Sequence, residues 1–280
     1  MNQALLASLL GLSSAIVWGA GDFCGGQASR RAAVLSVLAL AEFTGFVLLI
    51  AAGFIVHETF PVAAAMAWSV AAGLSGTIGL GSLYKGLSIG RASVVAPVSA
   101  VIGAIIPALF TAYRLGLPGG VKILGFVLAL AAIVLASQSN HEAKGKKAIS
   151  FALLAGVGFG GFFIFMNQAS GLHSTFFPLA IARGFPIPLM ILFSSVRKMA
   201  ILPSRNTVGL ILLTGILDAA GTVLFLLSST LGRLDVATIL SSLFPASTVI
   251  LSSIILHEKI SLLQKIGVVL ALTAILLIVW

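Results

Sequence analysis

Gly125-Phe-Val-Leu-Ala-Leu130 returns 142 residues later as Gly267-Val-Val-Leu-Ala-Leu272. The correspondence at this spacing runs without a gap from residue 90 to residue 136 and its partner segment. Nearer the start of each half the spacing is 141, where Gln27-Ala-Ser29 corresponds to Gln168-Ala-Ser170. Two related halves predict a duplicated structural unit, and a duplicated unit made of membrane spans is typical of transporters.

The composition indicates a protein that lies in lipid. Hydrophobic residues make up 59% of the chain, charged residues only 8%, and the mean hydropathy is +1.18. Because a spanning helix needs roughly 20 mainly apolar residues, the sequence predicts an all-α integral membrane protein with ten transmembrane helices. The predicted spans are about 4–26, 33–56, 63–88, 92–113, 120–138, 149–171, 175–196, 206–230, 235–256 and 262–280.

These spans divide into two repeats of five. The first repeat covers residues 1–138, a polar linker covers 139–148, and the second repeat covers 149–280. Because five is odd, the second repeat enters the membrane with the opposite orientation, and a two-fold axis in the membrane plane relates the two. The single cysteine, Cys24, excludes an internal disulfide.

The loop charges predict the orientation, because short loops rich in Lys and Arg stay cytoplasmic. Eleven such residues fall on one side and three on the other, so both termini are expected outside the cytoplasm, in a bacterial inner membrane. The same distribution accounts for the net charge of +9 without a nucleic-acid partner. The eleven are Arg30, Arg31, Arg91, Lys144, Lys146, Lys147, Arg197, Lys198, Arg205, Lys259 and Lys265; the three are Arg114, Lys122 and Arg233.

Three ionisable residues lie near the middle of their predicted spans: Glu42, Arg183 and Asp218. A charge at the bilayer centre costs about 2.5–3.5 kcal/mol on insertion scales, so such residues indicate function. Asp218 is a candidate proton carrier or counter-charge to a substrate amine; the alternative is an ion pair with Arg183. Glu42 and Arg183 occupy equivalent repeat positions with opposite charge, which favours a structural pair or gate latch as much as contact with substrate.

Further polar residues are candidates for lining a cavity. Trp18 and Tyr84 lie on glycine-rich spans and are suited to stacking on a substrate, and Asn167 adds a hydrogen-bonding amide. Interfacial anchoring is the alternative for Tyr84, and hydrogen bonding between helices is the alternative for Asn167. Asp22 and Lys85 lie toward the cytoplasmic ends of their spans, where side chains reach the headgroups.

Small and helix-breaking residues predict the packing. Spans 1, 3, 6 and 8 are rich in glycine, which allows close helix contact in lipid, so these spans are expected to form an inner bundle. Spans 5 and 10 consist mostly of large aliphatic residues and alanine and are expected at the periphery. Pro97 in span 4 and Pro245 in span 9 are expected to kink their helices.

The sequence contains no catalytic, metal-ligating or cofactor-binding motif. The four histidines fall in predicted loops without ligand spacing, and no phosphate-binding GxxxxGK[ST] sequence is present. A secondary carrier with a small-molecule substrate, and with protons as a coupling ion, is therefore the favoured interpretation. The alternatives are a passive facilitator and a membrane-embedded enzyme or lipid-handling protein. No feature predicts an oligomeric state.

The chain resembles the EamA-type carriers of the drug/metabolite transporter superfamily. The resemblance rests on Trp18-Gly19, the second-helix Arg183, Tyr84-Lys-Gly-Leu87 and the turn Leu256-His-Glu-Lys259. It implies export or exchange of small metabolites, often amino acids, through a central cavity lined by helices 1, 3, 4, 6, 8 and 9. The first repeat departs from the pattern, with Glu42 in place of the second-helix arginine. Family members also commonly have cytoplasmic termini, whereas the loop charges here predict the opposite.

The orientation is testable by thiol labelling. A cysteine placed in the 139–147 linker of a Cys24→Ser background is expected to be shielded from an impermeant thiol reagent in intact cells, because that linker belongs to the positively charged side. Labelling is measured before and after lysis. Full labelling before lysis would contradict the predicted topology.

Overall fold

A computed structural model describes residues 3–89, 92–136, 146–170, 174–197, 203–255 and 262–279. The described chain folds into α-helices. The helices are α1 Gln3–Ser29, α2 Val34–Ile55, α3 Ala63–Ile89, α4 Ala92–Leu115, α5 Gly120–Ala136, α6 Lys146–Ala169, α7 Phe176–Gly184, α8 Pro186–Arg197, α9 Arg205–Leu231, α10 Leu234–Ser241, α11 Phe244–Ile255 and α12 Leu262–Val279. The predicted linker up to residue 145 and the turn at 256–259 lie outside the described residues.

The helices have the lengths and surfaces of membrane spans. Within the described residues, seven helical segments are long and apolar enough to cross a membrane, one of them formed by α7 and α8 together. Large apolar side chains cover the outside, with Phe54, Tyr113 and Leu192 at 67, 88 and 62% exposure. Small polar residues such as Ser14 and Ser99 lie fully inside. This distribution is the one expected for a multi-pass membrane protein.

The seventh and ninth predicted spans are each broken, which corrects the expectation of continuous helices there. α7 ends at Gly184 and α8 begins at Pro186, while α10 and α11 are separated by Ser242 and Leu243, just before Pro245. Proline has no backbone N–H, so the carbonyl four residues earlier loses its helical partner. Pro245 therefore starts a new helix instead of kinking one. Pro97 falls inside α4, and its side chain lies outside the described part.

Two long helix pairs form the centre of the molecule: α1 packs along α9, and α3 packs along α6. In the first pair Ser14 Oγ donates a hydrogen bond to the carbonyl of Gly221 over 2.8 Å. In the second pair Ser75 Oγ donates to the carbonyl of Gly158 over 2.9 Å. Direct side-chain to backbone bonds between helices require that the helices touch, which the small residues permit. The glycine-rich spans thus lie in the interior, as predicted.

The remaining helices surround these pairs. α4 packs on α6, and α10 and α11 pack on α1. α5 and α12 pack on each other, and their contact buries Ala129, Ala132, Ile133 and Ala274. Each also exposes large side chains, such as Val127 and Val269. α5 and α12 therefore contact the bundle on one side and present an apolar face on the other.

The glycine contacts between α3 and α6 predict the effect of a methyl group. A Cβ atom at Gly158 would lie 2.6 Å from the Cα of Gly79, a backbone atom that cannot move without shifting α3. Gly158→Ala is therefore expected to destabilise the protein by about 1–3 kcal/mol, as overpacking does. The measurement is thermal unfolding in detergent.

Gly209→Ala is the matched control, since a Cβ there meets nothing within 4 Å. Alanine in an open helical position favours the helix by roughly 1 kcal/mol relative to glycine, so this variant is expected to be at least as stable as the parent. Equal melting temperatures for Gly158→Ala and the parent would contradict the close packing of α3 on α6.

Candidate functional site

A cavity opens between the two central helix pairs and receives side chains from both halves of the chain. Its volume is about 640 Å³, including the part open to the surroundings. The wall is mostly aromatic and small apolar residues, with a cluster of charges on one side. The lining residues are Trp18, Asp22, Glu42, Gly73, Gly76, Thr77, Leu80, Phe159, Phe162, Phe163, Ala182, Arg183, Asp218, Thr222 and Phe244.

Arg183 is the centre of the charge cluster. Its Nη1 lies 2.7 Å from Asp218 Oδ2 and 3.2 Å from Glu42 Oε2, and its Nη2 donates to Thr222 Oγ1 over 2.8 Å. The Thr222 hydroxyl donates in turn to the carbonyl oxygen of Asp218 over 2.7 Å. The Arg183 and Glu42 side chains are 8 and 9% exposed, whereas that of Asp218 is 22% exposed. Asp218 is therefore the more exposed of the two carboxylates that pair with Arg183.

The Arg183 side chain packs against α2 at a glycine, Gly45. A Cβ atom at Gly45 would lie 2.8 Å from Arg183 Cδ and 3.1 Å from its Nε. Gly45 thus leaves the space that the arginine side chain occupies. The buried Nε has no hydrogen-bond partner among the described residues. Since Nε lies beside the α2 backbone, it is enclosed by protein and does not serve the cavity.

Features at both ends of the short helix α7 fix its position and therefore the position of Arg183. At the start of α7, the Glu58 carboxylate accepts hydrogen bonds from the backbone N–H groups of Thr175, Phe176 and Phe177. A carboxylate at a helix N-terminus satisfies free donors and complements the helix dipole. At the other end, the break before Pro186 ends the helix one residue after Arg183, at Gly184.

The break also brings α7 close to α3. Because Pro186 lacks an N–H group, the carbonyl of Ala182 has no helical donor four residues on. That oxygen lies against Gly73, where an added Cβ would be only 2.0 Å from it. Gly73 therefore allows α3 to approach the released carbonyl at the wall of the cavity.

Trp18 forms part of the cavity wall beside Asp218. Its indole N–H donates to the carbonyl of Asp218 over 3.3 Å. Its ring stacks on Phe225 with centroids 5.7 Å apart and lies 5.8 Å from Phe163. Gly221 provides the space for the indole, because a Cβ there would lie 2.5 Å from the ring. These contacts fix an aromatic surface next to the charge cluster.

The structure brings together four of the six predicted site residues: Trp18, Glu42, Arg183 and Asp218. Tyr84 and Asn167 do not line the cavity. The Tyr84 side chain is 1% exposed and is packed in the core, with its hydroxyl against the backbone of Gly25.

The set of lining helices also differs from the one implied by the resemblance. No side chain that the structure describes in α4 lines this cavity, whereas α2 and α7 contribute Glu42 and Arg183. The reason is the ion pairing itself: each buried charge needs a partner, so the pairing draws the second helix of each repeat into the cavity wall.

Several lining residues were not predicted. Thr222 follows Asp218 by four residues, so both lie on the same face of α9; this spacing was the available signal. Phe162, Phe163 and Phe244 carry no sequence signal that separates them from other apolar residues. Asp22 was interpreted as a headgroup contact, yet it lines the cavity.

Comparisons with known proteins agree with this architecture. The model of the EamA-like transporter family matches residues 146–280. Among solved structures, 28 chains match. One, titled only as the crystal structure of a protein, has a TM-score of 0.75 at 17% identity and covers 97% of both chains. At that identity the likeness shows the fold alone. No protein of curated function matches the chain.

The contacts of Arg183 predict a strong thermodynamic coupling with Glu42. Arg183→Gln leaves two carboxylates without their buried counter-charge and is expected to lower the stability by about 3–5 kcal/mol. Adding Glu42→Gln should restore part of that loss, because it removes one of the two uncompensated charges. Thermal unfolding of Glu42→Gln, Arg183→Gln and the double variant gives the coupling energy. Additive losses would mean that the two side chains do not interact.

Proposed function

We propose that this chain, whose residues 146–280 match the model of the EamA-like transporter family, is a secondary transporter of that family working by alternating access. It exports or exchanges small polar or amphipathic metabolites across the bacterial inner membrane, and amino acids are the class that the family resemblance implies. The observation that carries this proposal is the ion pair between Glu42 and Arg183 at the wall of the cavity. It joins the two halves of the chain at the place where a substrate would bind.

The helix contacts support two inverted five-helix repeats. If the halves are exchanged, the pairing of α1 with α9 becomes the pairing of α6 with α3, and both are present. The packing of α4 on α6 becomes that of α10 and α11 on α1, which is also present. The pairing of α5 with α12 maps onto itself. A contact pattern that survives this exchange is the one expected from a two-fold axis between repeats.

Loop contacts support the topology of five spans in each repeat. The Arg233 guanidinium donates over 3.2 Å to the carbonyl of Gly116, which places the α4–α5 and α9–α10 connections at one end of the molecule. Glu58, in the connection between α2 and α3, accepts hydrogen bonds from the backbone at the start of α7. This connection and the start of α7 therefore lie at the same end of the helices. In the orientation predicted from the loop charges, these are extracytoplasmic connections, on the side of both termini.

The charge cluster supplies an element with two arrangements. Arg183 Nη1 is shared by Asp218 on α9 and Glu42 on α2. A proton that binds Asp218 removes one of these attractions and leaves Arg183 paired with Glu42 alone. The contact between α7 and α9 then weakens relative to that between α7 and α2. A proton taken up on one side of the membrane can in this way favour one orientation of the carrier.

Transport is tested by reconstitution. Purified protein in proteoliposomes is screened for uptake and efflux of amino acids and nucleobases, with and without a proton gradient. Uptake above protein-free vesicles supports a carrier, and accumulation that requires the gradient excludes passive facilitation. The absence of protein-dependent flux for every compound would reject the proposed substrate classes.

Replacement of Asp218 separates coupling from binding. Asp218→Asn keeps the size and most hydrogen bonds but removes the titratable charge, so gradient-driven accumulation is expected to fail while exchange persists. Asp235→Asn is the control, since Asp235 pairs with Arg233 away from the cavity and its replacement should leave accumulation intact. Accumulation by Asp218→Asn at the parental level would place the coupling on another residue.

A further inference from the structure

We propose that Asp22 is the binding site for a positively charged group of the substrate, and that the substrate is an amphipathic organic cation, an ammonium group attached to an aromatic or apolar body. This inference rests on the proposed transport function and assigns the substrate class for its cavity. It differs from the amino-acid class, because an amino acid also carries a carboxylate.

The formal charges in the cavity do not balance. Three carboxylates line it, from Asp22, Glu42 and Asp218, against one guanidinium, from Arg183. Arg183 contacts Glu42 and Asp218. Asp22 makes neither a hydrogen bond nor an ion pair with any described residue. A carboxylate out of bulk water is unfavourable unless it is paired or binds a proton, and a cation entering the cavity would supply a partner.

The arrangement of Arg183 argues against a substrate carboxylate. Both terminal nitrogens already donate to protein oxygens, to Glu42 and Asp218 from Nη1 and to Thr222 from Nη2. Two of the five guanidinium N–H groups are left, one on Nη2 and one on Nε, and Nε lies beside Gly45. An anion bound at Nη2 would lie next to the two carboxylates that already pair with Nη1. The repulsion between these negative groups disfavours an anion at this position.

The walls next to Asp22 suit the apolar part of a cation. Trp18 precedes Asp22 by four residues on α1, so the two side chains share a face of the helix, and both line the cavity. Phe162, Phe163 and Phe244 complete an aromatic lining. Aromatic faces attract cations, and more strongly when water is excluded. A carboxylate combined with aromatic rings is therefore matched to an ammonium group.

Asp22 also lines a second cavity that adjoins the central one. A second cavity is lined by Asp22 and Phe244 together with Gln27 and Arg30 at the far end of α1. Asp22 and Phe244 are shared by both cavities. They stand where a substrate would pass between the centre of the molecule and the end that carries Arg30. A substrate that passes between the two cavities in either direction would therefore meet Asp22.

Three compounds with one phenyl skeleton test the charge preference. Phenethyltrimethylammonium is a permanent cation, phenylalanine is a zwitterion, and 3-phenylpropionate is an anion. Binding to the purified full-length protein in detergent is measured by calorimetry. We expect the cation to bind and the other two to bind at least about tenfold more weakly, since only the cation pairs with Asp22 without placing a carboxylate in the cavity.

Two variants at Asp22 test the residue. Asp22→Asn should weaken binding of the cation about tenfold or more, while Asp22→Glu, which keeps the charge, should retain most of it. Removing an unpaired carboxylate relieves a desolvation penalty, so Asp22→Asn is expected to fold, which thermal unfolding checks. Unchanged affinity of folded Asp22→Asn would overturn the assignment of this residue.

The outcomes also distinguish this inference from the transport proposal. If proteoliposomes carry phenylalanine and the quaternary cation does not bind, the protein is a carrier and the assigned substrate class is wrong. Preferred binding of 3-phenylpropionate would overturn the inference in the same way. If the parent binds none of the three compounds, a cation site of this description is not present.

Discussion

The ion pairing of Arg183 in an apolar interior is the constraint on which the rest of the structure depends. A guanidinium away from water must be paired and hydrogen-bonded, and here Glu42 comes from α2 while Asp218 and Thr222 come from α9. These contacts fix the distance between three helices. The breaks and caps around α7, and the glycine that accommodates the arginine stem, follow from the need to hold one side chain in this position.

Small residues allow this arrangement in a solvent that gives helices no hydrophobic reason to associate. In lipid, helices are held by close packing and by hydrogen bonds between them. Gly158 on Gly79 illustrates the first, and Ser14 on the carbonyl of Gly221 illustrates the second. The closest helix contacts lie within the pairs α1 with α9 and α3 with α6. The cavity is the space between the two pairs, and these four glycine-rich helices form most of its wall.

The charged residues of the cavity differ in exposure and in pairing. Arg183 and Glu42 connect the halves of the chain and are nearly enclosed, whereas the Asp218 side chain is 22% exposed. Asp22 has no hydrogen-bond or ion-pair partner among the described residues and also lines a second cavity. In the proposed mechanism the enclosed pair holds the conformation, Asp218 carries the coupling proton and Asp22 binds the ligand.

Composition and repetition determined much from the sequence alone. The apolar fraction implied membrane helices, the recurrence of Gly125-Phe-Val-Leu-Ala-Leu130 implied a duplication, and the high cost of buried charge singled out Glu42, Arg183 and Asp218. Each of these signals can be read from single residues, from a short repeated segment or from a sum over the chain. The sequence did not separate Trp18 from Tyr84, because both are aromatic residues on glycine-rich helices, and only packing places one in the cavity and the other in the core. Nor did it show the break at Phe185 or the unpaired state of Asp22. Those depend on which helices meet and at what depth, and such contacts between distant segments are decided only when the tertiary structure forms.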